Sequence, residues 1–420
     1  MTKKSAYSAS SASYSPFTFG QKSISVKTLP AQTLSNLHLL VIVLAQFAGT
    51  SLWFAGNAIL ADLQPLLGTT TLNGWITSAV QLGFIVGTLV YSLYGIADRF
   101  PSARVFLVSV VLAAGFNLLF LALPLRAEWV LMSRFGTGFF LAGVYPVGMK
   151  IAADWFRPVL GRAMGFLVGA LVLGTAFPHL IRGLGGALPY AEVLLSVSGL
   201  AVVGGLLLFV VVPSKLVINR RNRLSTDAFR YLFKPGDLRA GTLGYFGHMW
   251  ELYTVWAFLP VLFALYAQQH PDFSFNRSVW TFVAMAVGFL GCAGGGFLAL
   301  RVGSRRVAVV QLAISGMCTA LVPFILSAPP VLFGLYLLIY GITISGDSPQ
   351  LTTLVSANAP LDNRGSVLTL LTCIGFSITI VSIQLMAWVL NQTDQAPWAF
   401  CLLVPGPVLG VWGLVSKTKL

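Results

Sequence analysis

Two side chains three apart, His248 and Glu251, carry the clearest chemical capacity in this sequence. They lie in Tyr245-Phe-Gly-His248-Met-Trp250-Glu251-Leu-Tyr253-Thr-Val-Trp256, a polar and aromatic run inside an apolar segment. A spacing of three puts both on one helix face, which Tyr245, three residues earlier, extends. A buried carboxyl beside an imidazole can take up and release a proton, so the pair is suited to proton coupling or to holding a solute. The other reading is a neutral carboxyl satisfied by an interhelix hydrogen bond.

Arg134 is the second candidate, about seven residues into its own apolar segment. A guanidinium in such a place needs an acid, an anionic solute group, or backbone carbonyls at a helix end, and all three remain open. His179 could face a cavity from the outer half of another segment. Gln46, Trp53, Phe54 and Asn57 form a stripe of mixed polarity suited to a cavity wall. Tyr145 and Tyr340 are further candidates, with Asp347 and Gln350 near the end of Tyr340's segment. Lys150, near a segment end, reads as a snorkelling anchor.

The elements that must position these groups are twelve apolar segments, at about 36–60, 72–97, 104–123, 127–151, 161–184, 190–213, 240–266, 278–300, 306–326, 329–348, 365–390 and 396–415. Each has roughly the 20 residues needed to cross a hydrocarbon core of about 30 Å. Of the 26 Lys and Arg residues, 22 fall in the terminal stretches and alternate gaps on one side, which predicts that both termini are cytoplasmic. With 56% hydrophobic and 9% charged residues and a mean hydropathy of +0.83, the chain reads as a multi-pass membrane protein. The net charge of +14 is accounted for by topology and anionic lipid headgroups, without nucleic acid.

Several chemistries have no motif here. The four Cys and four His show no metal-ligand or redox spacing, so neither metal nor cofactor is expected. A phosphate loop, a nucleophile elbow and a selectivity-filter repeat are missing, which argues against an ATP-driven pump, an enzyme and a channel. What remains is a gradient-driven carrier. Its oligomeric state is not legible.

The polar stretch 214–239 divides the segments six and six, and the halves echo one another. Arg99 and Arg301, Pro146 and Pro349, Pro158 and Pro360, and Gly161 and Gly365 are each 202 to 204 positions apart. The expected organisation is a disordered cytoplasmic tail (1–35), a six-helix bundle (36–213), a cytoplasmic linker (214–239), a second six-helix bundle (240–415) and a short cytoplasmic tail (416–420). Duplicated six-helix halves place a solute site between them near the midplane.

Two loops sharpen this. Gly95-Ile-Ala-Asp98-Arg99-Phe-Pro101-Ser-Ala-Arg104 follows the second segment, and Gly296-Phe-Leu-Ala-Leu-Arg301-Val-Gly303-Ser-Arg305-Arg306 follows the eighth. They resemble the glycine–acid–basic loop of the major facilitator superfamily, bacterial-type, in its two expected positions. Pro101 replaces the usual second glycine in the first copy, and Leu300 replaces the acid in the second. The resemblance implies an all-α fold of twelve transmembrane helices in two pseudo-symmetric bundles, in the cell inner (plasma) membrane. It also implies that these loops gate the cytoplasmic mouth, Asp98 and Arg99 above all, by charge pairing with a neighbouring helix end. The loops around Asp154-Trp-Phe-Arg157-Pro158 and Ala359-Pro360-Leu-Asp362-Asn-Arg364 look like further gates.

The Arg134-x-x-x-Gly138 spacing resembles the family's fourth-helix basic motif, tied to proton transfer in exchangers. Gly165, Gly174 and Pro178 match the antiporter motif only in part, and close helix packing explains them as well. Part of the chain resembles the branch labelled nitrate or cyanate porters. Nitrate is not the expected solute, because neither 72–97 nor 278–300 contains the arginine that such porters use. The expected function is proton-coupled transport of a small organic solute by alternating access. The alternative is a non-transporting membrane sensor or assembly scaffold of the same fold.

Overall fold

A computed structural model describes residues 35–68, 72–156, 160–184, 188–213, 225, 227–392 and 396–416. Residues 1–34 of the expected disordered leader, Arg157 and Pro158 of one gating loop, most linker cations and the last four residues lie outside this range.

Eleven membrane-crossing passes are long and apolar enough by themselves, and a shorter apolar helix opens a twelfth. That first pass is broken. Helix α1 (Asn36–Thr50) ends in a turn over 51–54 and is followed by α2 (Ala55–Ala58) and α3 (Leu60–Leu67). The second pass is α4 (Leu72–Leu93), after which Gly95 at φ 57° turns the chain into α5 (Ile96–Arg99). Then come α6 (Ser102–Ala122), the α7–α8 pair (Ala127–Leu141, Tyr145–Trp155), α9 (Leu160–Leu184) and α10 (Tyr190–Val211). A short helix, α11 (Asp227–Phe233), occupies part of the stretch expected as linker.

The second half runs through α12 (Asp237–Gln269), the α13–α14 pair (Arg277–Ala286, Gly288–Val302) and α15 (Ser304–Ile325). It continues with the α16–α17 pair (Pro330–Gly346, Ser348–Asn358) and α18 (Arg364–Gln392). The last pass is α19 (Ala396–Ala399), a 3-10 turn and α20 (Pro405–Val415). Boundaries match the apolar segments within a few residues, except that the first pass runs on to Leu67 and the tenth to Asn358.

Fourth and tenth passes break at matching places, and proline explains both. Pro146 and Pro349 lie within the first two positions of α8 and α17. Proline lacks an N–H, so the carbonyl four residues earlier loses its helical partner. For Pro349 that carbonyl belongs to Ser345, and it accepts the Asp347 N–H and the Cys292 thiol at 3.2 Å. Asp347 is thereby left at the joint between α16 and α17.

Glycines set the closest helix contacts, and they too repeat. A Cβ at Gly83, Gly87 or Gly138 would strike the carbonyl oxygen of Phe135, Phe139 or Val80, which locks α4 onto α7. In the second half a Cβ at Gly291 or Gly341 would strike the carbonyl of Ile342 or Ala284, locking the eighth pass onto the tenth. Backbone contact through small residues is how helices associate where lipid removes the hydrophobic drive. Gly138→Ala is therefore expected to cost about 1–3 kcal/mol by overpacking. Gly115→Ala, with nothing within 4 Å, is expected to leave the melting midpoint in detergent unchanged. Equal midpoints for the two variants would show that the contact yields.

Candidate functional site

Glu251 is buried in the second half, 1% exposed. Its carboxylate sits in a shell of hydroxyls on α15 and α16. Ser315 Oγ donates to it at 2.9 Å, Thr319 Oγ1 donates at shorter range, and Tyr340 OH donates at 3.3 Å. The Thr319 and Tyr340 hydroxyls also lie 2.6 Å from each other. Ser315 and Thr319 are one helical turn apart, which is why one carboxylate reaches both.

His248 does not reach Glu251. Its Nδ1 stands 2.9 Å from Asp347 Oδ1, and its Nε2 has no partner. Asp347 precedes α17 without capping it, so its carboxylate is turned to the imidazole. Three titratable groups thus gather where α12 passes the joint of the tenth pass. Asp347 was visible in the sequence as a polar residue near a helix end. Its pairing with His248 was not, because they are about 100 positions apart.

Arg134 is the counterpart in the first half, and it is fully buried. Its guanidinium donates to Asn117 Oδ1 at 2.6 Å and to the carbonyls of Leu52 and Trp53 at 2.8 and 2.7 Å. The turn over 51–54 interrupts the helical ladder, and Arg134 supplies donors to carbonyls freed there. Asn117 also donates to Ser198 at 3.0 Å, tying the third pass to the sixth. Of the three readings open for Arg134, this geometry is the backbone one.

Between the halves lies a layer of aromatic rings. Trp53, Phe54 and Phe84 from the first half meet Tyr253, Trp256 and Phe376 from the second. Trp53 faces Tyr253 and Phe376 at centroid distances of 6.0 and 5.4 Å, with interplanar angles of 21° and 28°. Phe54 faces Tyr253 at 6.3 Å and 18°. Trp53 and Phe54 belong to the stripe expected in a cavity wall, whereas nothing in the sequence sets Phe84 and Phe376 apart from lipid-facing phenylalanines.

The remaining candidates are distributed around this layer. Asn57 donates to Thr77 Oγ1 at 2.7 Å, while its Oδ1 has no partner. Tyr145 lies within electrostatic range of Tyr245 and Cys292, bringing the fourth pass to the seventh and eighth. Tyr245 packs against Gly375 of α18. His179 is buried with Nε2 unpartnered. In α9, Gly174 packs against the Phe47 carbonyl and Thr50, a helix-packing role.

On the cation-rich face, Asp98 pairs with Lys150 at 3.4 Å, and Lys150 with Asp154 at 3.1 Å. Lys150, read as a lipid anchor, is instead the helix-end partner of the first loop. In the second copy Arg305 donates to the Leu414 carbonyl at 2.6 Å and to Asp237 at 2.9 Å. The loop without an acid therefore fastens to the end of α20, where a cation complements the helix dipole. Gly303, at φ 85°, makes the turn. Gly296 is half-buried, and Arg99, Arg104, Arg301 and Arg306 are exposed. On the opposite face Arg182 pairs with Asp62 at 2.7 Å. There the halves meet where Asn276 donates to Gly183 and Gln384 to Ser78.

Two duplicated helical halves with buried polar centres, meeting at an aromatic layer, have the architecture of a membrane transporter. The model of the Major Facilitator Superfamily matches residues 29–383, and the chain belongs to that family. The fold is similar to that in the crystal structure of the nucleoside transporter NupG, with a TM-score of 0.70 over 91% of this chain and 100% of that one. At 14% identity this likeness concerns the fold alone. No curated protein matches the sequence.

Proposed function

We propose that this protein is a proton-coupled secondary transporter that moves a small organic solute across the cell inner membrane by alternating access. One observation carries the coupling: Glu251, His248 and Asp347, three titratable groups, are each at most 1% exposed within membrane-crossing helices. Ionisable groups are expensive at that depth and mark solute or proton pathways. The shell of Glu251 suits proton exchange. A hydroxyl both donates and accepts, so Ser315, Thr319 and Tyr340 can serve a carboxylate or a carboxylic acid after a rotation. The excess of cations on one face supports placing that face, with both termini, in the cytoplasm.

The test is a reconstituted vesicle carrying an internal pH dye, challenged with pools of organic acids, amines and neutral metabolites. Solute-dependent proton movement is expected from at least one pool. A solute that crosses equally with and without an imposed pH gradient would remove the coupling. No flux from any pool would remove transport itself.

The Asp98–Lys150 pair supports a gating role for the first loop. A charge contact present in only one state biases the equilibrium between states. D98K and K150D are each expected to slow solute-driven proton flux severalfold, and the double variant to recover most of it. A double variant no better than either single one would mean that the loop only turns the chain.

A further inference from the structure

The aromatic layer lies beside buried polar atoms that have no partner, and together they define a kind of ligand. Gln81 is fully buried on α4, one turn from Phe84, and neither its Nε2 nor its Oε1 is hydrogen-bonded. The Nε1 of Trp53 and the Oδ1 of Asn57 are buried and unpartnered too. Asn57 is bonded through Nδ2 to Thr77, four residues before Gln81 on the same helix. Two donors and two acceptors thus lie around one set of rings, all on the first half. Buried polar groups are almost always satisfied, so the unmade bonds of Gln81, Asn57 and Trp53 point to an occupant that completes them.

The rings describe the rest of that occupant. Trp53 and Phe54 face Tyr253 and Phe376 across the boundary between the halves, at 5.4 to 6.3 Å and 18° to 28° between planes. These near-parallel faces belong to different halves, so alternating access separates them. A flat ring entering between them once they part replaces each protein face with one of its own, and offset stacking is the arrangement such faces favour. Charge is not called for. The Arg134 guanidinium is bound to Asn117 and two carbonyls, and Glu251 to three hydroxyls. His248 and Asp347 face each other. Ionisable atoms without a hydrogen-bond partner, among them Arg134 Nε, His179 Nε2, His248 Nε2 and Asp347 Oδ2, lie outside the ring-bearing stretches 53–57 and 81–84. On those two stretches the unpartnered atoms are amide and indole groups.

We propose that the solute is an uncharged planar heteroaromatic compound, stacked between Trp53 and the Tyr253–Phe376 pair, with its hydrogen-bonding edge read by Gln81, Asn57 and the Trp53 indole N–H. This rests on the transport reading for its biological sense, but binding is measured without flux or gradient. Purified full-length protein is heated with adenine, uracil or nicotinamide. The comparison compounds are indole, glucose, benzoate and benzyltrimethylammonium. At least one of the first three is expected to raise the melting midpoint by several degrees, in proportion to its occupancy. Glucose and the two ions are expected to leave it unchanged, and indole to have a smaller effect.

Gln81→Met keeps the volume and removes the amide. It is expected to keep the unliganded midpoint and weaken the stabilising ring at least tenfold, with indole unaffected. Should Gln81→Met fail to fold, Trp53→Phe removes the indole donor while keeping a ring, and the same selective loss is expected. The proposal is overturned if none of the three heteroaromatics stabilises folded protein. It is also overturned if glucose or an ion stabilises it better, or if the folded variant binds the ring as wild type does. A cation that binds best would make the layer a cation–π cage. A ring that binds while vesicles show no flux leaves this inference standing and sinks the transport reading alone.

Discussion

Replacing Arg134 with Met is expected to remove about 3–5 kcal/mol of stability, enough to keep most of the chain from reaching a folded state. The loss comes from what stays behind. Arg134 gives hydrogen bonds to Asn117 Oδ1 and to the carbonyls of Leu52 and Trp53, all in the interior of the first half. Methionine fills the space but donates nothing, so three buried acceptors are stranded at once. Arg134→Lys should recover only part, because an ammonium cannot span three acceptors as a planar guanidinium does. Thermal unfolding in detergent, with size-exclusion profiles, checks both variants. A methionine variant that melts like wild type but no longer moves protons would instead make Arg134 a coupling group.

Glu251→Gln is expected to abolish pH-driven accumulation while the protein still folds and still exchanges solute across the membrane in both directions. The amide has nearly the shape of the acid and offers Ser315, Thr319 and Tyr340 an acceptor and a donor, so the shell survives. What the variant cannot do is change protonation, and a carrier fixed in one state loses the link between proton and solute. Asp347→Asn is expected to act in the same direction, because it leaves His248 facing a group that never carries charge. Counterflow in vesicles separates the cases. Retained counterflow with lost accumulation is the coupling phenotype, and wild-type accumulation in Glu251→Gln would end the coupling role of this residue.

The passes were legible because lipid imposes a simple rule: about 20 apolar residues per crossing, with cations gathered on one side. The repeat of about 203 residues was legible too, through paired prolines and glycines. The breaks were not. Leu52, Trp53 and Phe54 are as apolar as their neighbours, and the turn there is met by Arg134, some 80 positions away. Glu251 and His248 stood out as polar residues in an apolar run, but their partners did not. Ser315 and Thr319 are ordinary in membrane helices, and only the packing of α15 on α12 shows that they serve one carboxylate. The aromatic layer was half visible, since a phenylalanine facing lipid and one facing another subdomain read alike.

The broken first pass also bears on how the protein is made. Helix α1 has 15 residues and so extends roughly 22 Å, short of a hydrocarbon core of about 30 Å. The fourth pass, with an arginine in its apolar stretch, is costly to insert alone, by about 2.5–3.5 kcal/mol at mid-membrane. Each is a poor solitary helix, and each holds what the other lacks. During synthesis the carbonyls at 52 and 53 enter the membrane first, and Asn117 follows on the third pass. All three acceptors are thus synthesised before Arg134, Asn117 by only 17 residues. Segments one, three and four therefore satisfy one another in the folded protein, and none of the three completes its hydrogen bonds without the others.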